Sequence, residues 1–132
     1  MKRTLACLLV LVMLLVGCSS GDSFPHFDDG TTVGKGKTDF NLVITDTEGE
    51  KVTLTIKTDS DTVGEALQKE HVIFGTEGEY GLFIETVNGQ TLDYDKDGYY
   101  WAFYIDGTYA EKGIDLTSIQ SDTVYELRAE KM

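Results

Sequence analysis

The stretch that decides the fold reads YYWAFYIDGTYAEKG and runs from Tyr99 to Gly113. Its first eleven residues contain the only Trp of the chain and four of its seven Tyr. Aromatic side chains bury large areas, so a segment this rich in them supplies much of a small core or an apolar binding surface. We therefore expect a strand that serves the core, a binding surface, or both.

Strand alternation divides the aromatic residues into two sets, because successive side chains of a strand point to opposite faces of a sheet. One set contains Tyr99, Trp101, Phe103 and Ile105, and the other contains Tyr100, Ala102, Tyr104 and Asp106. A single helix can cover only one face, so one set is expected in the core. The other set is exposed or covered by the segment 109–113, and the alternative is that all of these residues pack the fold.

The set with Tyr100 and Tyr104 is the candidate binding surface, an exposed aromatic platform that Tyr80, Phe83 or Tyr109 would extend. Aromatic residues suit flat ligands and protein partners because they combine a large apolar area with a polar tip. The candidate ligand-binding residues are Tyr100, Trp101, Tyr104 and Tyr109.

The residues before the aromatic stretch predict a hairpin and a helix. Apolar and polar residues alternate over 40–45 and over 51–57 on either side of a polar turn, which is typical of a hairpin with one buried face. The pattern Thr62-Val63-Gly64-Glu65 is a capping box and predicts a helix whose apolar face covers the hairpin.

The remaining segments predict further strands separated by turns. Turns are expected at 75–78, 93–98 and 115–121, and strands at 80–87, 99–106 and 123–129. The order of two strands, a helix and three or more strands predicts the α+β class, with a β-grasp-like mixed sheet and one covering helix.

The N-terminus predicts export. Lys2 and Arg3 precede an apolar run at 5–16, and Leu-Val-Gly-Cys ends at Cys18 in the manner of a lipobox. We expect a lipoprotein signal peptide at 1–17, a flexible tether at 18–38 that begins with the lipidated Cys18, and one domain at 39–132. The alternative is a plain signal peptide or anchor that contains a Cys. The protein is then extracytoplasmic, anchored to the cell membrane by lipid, and expected to be a monomer.

Charge and composition exclude several functions. The formal charge of −12 becomes −14 when the predicted cleavage removes two basic residues and no acidic one. Such a chain is repelled by nucleic acid, so no nucleic-acid partner is expected. The two His, His26 and His71, belong to no acid/base pattern, and Ser60, Ser118 and Ser121 lie in no nucleophile-elbow motif, so we expect no enzyme activity.

One motif is typical of a metal loop. Asp93, Asp95, Asp97 and Gly98 match positions 1, 3, 5 and 6 of a calcium loop, but position 12 is Tyr104 instead of Glu. The motif is a weak calcium candidate, and the alternative is a solvated hairpin turn. No other cofactor is indicated by the residues.

The chain resembles the transcobalamin-like C-terminal domain family, known in bacteria as DUF4430. The segments that carry the resemblance are TVGEAL at 62–67, YWAFYIDG at 100–107, AEKGI at 110–114 and VYEL at 124–127. The resemblance covers 39–132 and implies a β-grasp-like domain on the outer face of a Gram-positive-type cell. In animal cobalamin carriers a similar domain covers one face of the corrinoid, while a separate helical barrel, absent from 39–132, holds the other.

Together these observations predict a tethered, non-catalytic module that binds a small molecule with a flat apolar face, with a cobalamin-like corrinoid as the example implied by the resemblance. The alternative is a protein-interaction module that docks its aromatic face onto a surface or transport complex. A third reading is a spacer domain.

Overall fold

The structure is a computed structural model that describes residues 24–132, so the predicted signal peptide and Cys18 lie outside the described residues. The helices are α1 (Val63–Lys69) and α2 (Tyr94–Asp97), with a 3₁₀ turn at Ile114–Leu116. The strands are β1 (Thr32–Gly34), β2 (Thr38–Thr45), β3 (Lys51–Thr58), β4 (Ile73–Gly78), β5 (Gly81–Val87), β6 (Gln90–Thr91), β7 (Tyr99–Ile105), β8 (Thr108–Tyr109) and β9 (Val124–Lys131). Within 24–132, no helix is long and apolar enough to cross a membrane.

The strands form two sheets. The larger has the order β1-β3-β2-β9-β7-β8, and the smaller has the order β4-β5-β6. The larger sheet is mixed, because β1 runs parallel to β3 and β9 runs parallel to β2, while its other neighbours are antiparallel. The predicted α+β class, with a mixed sheet and one main helix, is confirmed.

The predicted hairpin is strands β2 and β3. Phe40 pairs with Ile56 and Leu42 pairs with Leu54, so these side chains share one face. Leu42, Leu54 and Ile56 have no exposed surface, and this inner face of the larger sheet forms the centre of the hydrophobic core. Alternation in the sequence therefore assigned the buried face correctly.

Helix α1 begins where the capping box predicted. The Thr62 hydroxyl accepts a hydrogen bond from the Glu65 amide at 3.1 Å, and the Glu65 carboxylate accepts one from the Asp61 amide at 3.1 Å. The second bond of the box thus reaches one residue further back than the usual pattern. Val63, Ala66 and Leu67 are completely buried, as their helical spacing predicted.

The turn predicted at 75–78 is wrong, because these residues belong to β4. A Cβ at Gly75 would lie 2.2 Å from the Phe83 carbonyl oxygen, beside a bulge in the pairing of β4 with β5. Gly75 therefore allows the backbones of β4 and β5 to approach closely. The chain of the hairpin reverses later, between Gly78 and Gly81.

Two polar segments also differ from prediction. The turn expected at 93–98 contains α2, one helical turn that Gly98 ends in the left-handed conformation at φ 78°. The tether expected at 18–38 contains β1, whose Val33 is 5% exposed and packs into the core. Three residues with one apolar side chain give no periodic signal, so only pairing with β3 reveals this strand.

Candidate functional site

Strand β7 places its aromatic residues in distinct surroundings. Trp101 and Phe103 are buried on the inner face of the larger sheet, at 6% and 8% exposure. Tyr100 and Tyr104 lie on the outer face and are half-buried. The predicted division of the aromatic set is therefore present in the structure, with the inner set in the core.

A cleft of about 300 Å³ lies beside β7. We call it the aromatic cleft, and it is lined by Tyr80, Leu82, Phe83, Ile84, Tyr100, Trp101, Phe103 and Tyr109–Ile114. Residues of β5 form one wall, β7 forms another, and the segment after β8 closes one end. Both sheets therefore contribute to one site.

The cleft exists because β8 is short. β8 pairs only with Tyr104 and Ile105, after a tight turn in which Asp106 and Gly107 have φ of 49° and 83°. The Ala110 amide then donates to the Phe103 carbonyl at 3.0 Å, and the pairing ends there. Beyond this point, no strand of residues 24–132 pairs with β7 on the side of the cleft.

The backbone of Trp101 faces this open side. The Asp106 amide, directly after β7, donates to the carbonyl of Val124 in β9 at 2.8 Å. Because backbone groups alternate in direction along a strand, the even-numbered residues of β7 direct theirs toward β9. The odd-numbered residues, including Trp101, direct their backbone groups away from β9, toward the open side of β7. The Tyr99 amide agrees, because it donates to the Asp97 carboxylate at 2.9 Å instead of to β9.

The Trp101 indole, beside the cleft, carries an unpaired polar group. Its Nε1 is buried and has no hydrogen-bond partner among the residues that the structure describes. Buried polar groups are nearly always paired, and leaving one unpaired costs roughly 1–3 kcal/mol. Packing within residues 24–132 thus accounts for the Trp101 ring but not for its N–H group.

The rim of the cleft is exposed and aromatic. Tyr80, Phe83 and Tyr109 are 86%, 58% and 54% exposed. Burial, and then the neighbouring Tyr109 side chain, raise the pKa of Tyr100 to about 12. The Tyr100 hydroxyl therefore stays protonated at neutral pH and can donate a hydrogen bond at the rim.

Tyr104 does not line the cleft. The Arg128 guanidinium carbon lies 3.9 Å from the centre of its ring, and the Glu130 carboxylate accepts a hydrogen bond from its hydroxyl. Its ring meets that of Tyr109 edge-on, with 5.5 Å between the ring centres. Of the four predicted ligand-binding residues, the structure brings Tyr100, Trp101 and Tyr109 together at the cleft and leaves Tyr104 beside it.

Polar contacts occupy the outer face next to Tyr104. Glu126 accepts two hydrogen bonds from Arg128, at 2.9 and 3.1 Å, and one from the Thr45 hydroxyl at 2.8 Å. The Lys51 ammonium lies 3.6 Å from the same carboxylate. Hydrogen bonding by Arg128 holds the pKa of Glu126 below its ordinary value. The charged groups of this network are therefore paired with one another.

The calcium candidate does not form a ligand cage. The Asp93 carboxylate accepts from the Asp95 amide at 3.0 Å, and the Asp97 carboxylate accepts from the Asp93 and Tyr99 amides at 3.1 and 2.9 Å. Within residues 24–132, no three His, Cys, Asp or Glu side chains converge to hold a metal ion. The carboxylates of Asp93 and Asp97 cap and brace α2.

A second cleft was missed by sequence reasoning. It has a volume of about 500 Å³ and is lined by Phe24, Phe83, Glu85, Thr86, Thr91, Leu92, Asp93, Tyr94 and Asp95. These residues come from the N-terminal segment, the small sheet and α2, so no local motif unites them. The only sequence signal was the group of aspartates at 93–97, interpreted as a metal loop.

Comparisons with known proteins agree with this architecture. The model of a family described as a domain of unknown function, DUF4430, matches residues 60–127. A crystal structure of a candidate metal-binding protein from Ruminococcus gnavus ATCC 29149 is similar, with a TM-score of 0.68 and 26% identity, covering 73% of this chain and 99% of that one.

A more distant similarity is to haptocorrin, solved in complex with Cbi. Its TM-score is 0.51 and its identity 20%, covering 71% of this chain and 25% of haptocorrin. The chain therefore spans about a quarter of haptocorrin, and the likeness concerns the fold. No curated protein matches the sequence.

Proposed function

The chain belongs to the DUF4430 family, and from this premise we propose that it is a non-catalytic module that binds a small ligand with a flat apolar face. One observation carries the proposal. Exposed aromatic rings from both sheets, Tyr80, Phe83 and Tyr109 among them, converge on one cleft. Apolar walls with a few directed polar groups are typical of small-molecule sites.

The size of the cleft limits how it binds. Its volume of about 300 Å³ lies at the lower end of the roughly 300–1,000 Å³ that ligand sites have. It would therefore hold one planar part of a larger molecule, and a partner would supply any second wall.

A corrinoid is the first ligand to test. Haptocorrin has a similar fold and was crystallised with Cbi, which makes a cobalamin-like molecule a reasonable flat ligand for this cleft. The Ruminococcus gnavus protein points to a metal instead. The described residues gather no three metal-ligating side chains, so we base the proposal on the aromatic cleft.

The location of the protein belongs to the same proposal. Lys2, Arg3, the apolar run at 5–16 and Cys18 support export and lipid anchoring at the outer side of the cell membrane. A monomer held near the membrane by lipid at Cys18 would present its cleft to extracytoplasmic ligands or to a transport complex.

A protein-interaction module is the second candidate. Tyr80 is 86% exposed at the tip of the β4–β5 hairpin, and Phe83 is 58% exposed beside it. Exposed aromatic residues on a protruding hairpin are typical anchors of protein interfaces. In this case a surface or transport protein, not a free small molecule, would cover the cleft.

Calorimetric titration of the full-length protein with cobalamin tests the proposal. Tyr80→Ala and Tyr109→Ala remove rim contacts, while Leu116→Ala is a control as exposed as Tyr109, at 54%, that lies outside the cleft. We expect each Tyr variant to weaken binding about fivefold and the control to leave it unchanged, with melting temperatures preserved.

If all three variants bind cobalamin as tightly as the unchanged protein does, the binding site lies outside the aromatic cleft. If cobalamin gives neither heat nor a shift in melting temperature, the corrinoid is excluded. The same titration with a planar ligand set then decides whether the cleft binds small molecules at all.

A further inference from the structure

Strand β7 is paired along the whole of one side and along only part of the other. Toward β9 the pairing continues in unbroken register over 99–105. On the opposite side β8 pairs with only two residues of β7, and the Ala110 amide adds one bond to the Phe103 carbonyl. Residues 99–101 therefore form a stretch of sheet edge to which no strand of residues 24–132 is added.

The register of the β7–β8 hairpin shows what is missing at this edge. Ile105 pairs with Thr108, so continued pairing would place Lys112 opposite Trp101. The chain instead turns away after Ala110 and enters the 3₁₀ turn. Both Lys112 and Trp101 line the aromatic cleft, so the place of the missing strand belongs to that cleft.

Three backbone groups are directed outward at the open edge. Because odd-numbered residues of β7 direct their backbone groups away from β9, these are the N–H and C=O of Trp101 and the C=O of Tyr99. The Tyr99 N–H is already bonded to the Asp97 carboxylate. None of the three groups bonds to another backbone group within residues 24–132. A second strand is the natural partner of backbone groups at this spacing.

The edge also lacks the features by which proteins prevent strand addition. Exposed edges are usually interrupted by Lys, by Pro or by a bulge. Residues 99–103 read YYWAF, with no charged residue and no Pro, and their register with β9 does not shift. An uninterrupted edge of this kind is a template for an extended peptide.

Aromatic rings lie where the side chains of an added strand would pack. Tyr80 and Phe83 belong to the β4–β5 hairpin on one side of the cleft, Tyr109 lies at the end of β8, and all three are exposed. In strand addition the backbone bonds provide affinity, and contacts to alternate side chains provide specificity. Apolar side chains at alternate positions of the added strand would contact these rings.

Charge indicates which kind of segment is favoured. Residues 77–115, which include β5, β7 and β8, contain nine acidic and two basic residues, a net charge of −7. Opposite charges across an interface favour association, and like charges oppose it. A basic segment therefore complements this part of the surface.

We propose that the open edge of β7 binds an extended, basic segment of a partner protein, which adds as a strand antiparallel to β7 in place of the missing continuation of β8. The residue opposite Trp101 exchanges two backbone hydrogen bonds with it, and the residue two positions later donates to the Tyr99 carbonyl. The inference rests on the second candidate function, the protein-interaction module, and adds the chemistry of the partner and its mode of docking.

Hydrogen exchange in the full-length protein tests the edge before any partner is added. The amides of Tyr100 and Ala102 are directed toward β9, whereas the Trp101 amide is directed toward the open side. We expect the Trp101 amide to exchange at least about tenfold faster than either neighbour. A Trp101 amide that exchanges as slowly as its neighbours would mean that the edge is closed and would overturn the proposal.

Three peptides then test strand addition. The probe is acetyl-Lys-Val-Lys-Val-Lys-Val-Lys-amide, which should bind and slow exchange of the Trp101 amide about tenfold, with little change at Tyr100 and Ala102. Its analogue with an N-methylated backbone keeps the side chains and charge but has no donor along the chain. This analogue should bind at least about fivefold more weakly and leave Trp101 exchange unchanged. The analogue with Glu in place of Lys should bind about tenfold more weakly at low salt.

Variants of the protein provide matched controls. Tyr80→Ala should weaken the Lys–Val peptide about fivefold, while Leu116→Ala should leave its affinity unchanged. Glu111→Gln removes a charge from the lining of the cleft and should weaken the peptide about twofold. Asp122→Asn removes an equal charge from an exposed residue outside the cleft and should have no effect.

Equal binding of the N-methylated analogue, or binding that does not protect the Trp101 amide, would overturn strand addition. Equal binding of the Glu analogue would overturn the basic partner. Trp101 protection that rises with protein concentration alone, together with a dimer in sedimentation, would make a second copy of the chain the occupant and overturn the proposal. If the Lys–Val peptide does not bind, the proposal fails, while the cobalamin titration decides the small-ligand function separately.

Discussion

Leu127 and Arg128 are neighbours on strand β9, but they lie on opposite faces of the larger sheet. Leu127 has no exposed surface and packs in the core, whereas Arg128 stacks on Tyr104 and donates to Glu126. Apolar burial therefore stabilises the inner face, and charged hydrogen bonds in partial contact with water hold the outer face together.

The candidate site belongs fully to neither face. It lies at the edge of β7, where β8 ends and the small sheet approaches, and aromatic rings remain exposed there. The difference teaches that exposed aromatic groups gather where regular strand pairing stops. The variants below test this separation of stability from binding.

The largest effect is expected from Leu127→Ala. Removing this completely buried side chain from the central strand of the inner face should lower the free energy of unfolding by about 2–5 kcal/mol. Arg128→Ala, one residue away, should lower it by about 1 kcal/mol or less. Urea denaturation measures both values, and comparable losses would contradict the proposed difference between the faces.

A smaller effect is expected at the helix that covers the inner face. Thr62→Ala removes the hydroxyl that accepts from the Glu65 amide and should cost about 1 kcal/mol of stability. Thr62→Ser keeps the acceptor and serves as the control. If the Ser variant loses as much as the Ala variant in thermal unfolding, the cap is not the source of the loss.

On the outer face, Glu126 should make stability depend on pH. Its pKa is held below its ordinary value of 4.5, chiefly by Arg128, so the unfolded chain takes up this proton at higher pH than the folded protein does. Its contribution is therefore present above about pH 4.5 and is lost as the pH falls through the lowered pKa. Denaturation measured from pH 6 to pH 3 should show a loss of unfolding free energy. In the Glu126→Gln variant this loss should be smaller, by less than about 1 kcal/mol.

The smallest effect concerns the rim of the cleft. The Tyr100 pKa of about 12 should appear as a late step in an ultraviolet titration of tyrosinate, and Tyr109→Phe should move it toward 10. Because the folded pKa exceeds the unfolded one, stability contributed by Tyr100 is present below about pH 10 and is lost toward pH 12. An unchanged titration in the Tyr109 variant would leave burial, together with the neighbouring Glu130 and Tyr104, as the cause of the raised pKa.

The parts of the fold predicted from sequence are those with local causes. Alternation identified the hairpin and the buried side of β7, and the box at Thr62 identified the start of α1, because each signal lies within a few consecutive residues. Strand β4 was misjudged because Gly75 is typical of turns, while its actual role depends on the Phe83 backbone, eight residues away.

The candidate site was predicted in part. Tyr100, Trp101 and Tyr109 could be selected because they lie in one dense aromatic segment, and the structure gathers them at the cleft. Tyr104 belongs to the same segment and the same face as Tyr100, but its ring is occupied by Arg128, which is distant in sequence. Pairing between β7 and β9 determines that contact, and periodicity carries no information on it.

The amino-acid sequence by itself determined the α+β class, the family resemblance, the acidic charge and the division of the aromatic strand into two faces, since all of these follow from composition or short-range pattern. Only the tertiary structure decided that β8 stops after two residues, that the small sheet approaches the open edge of β7, and that the Trp101 N–H lacks a partner among the described residues. The reason is that a cleft depends on the packing of segments far apart in the chain, and no local propensity encodes the space left between them.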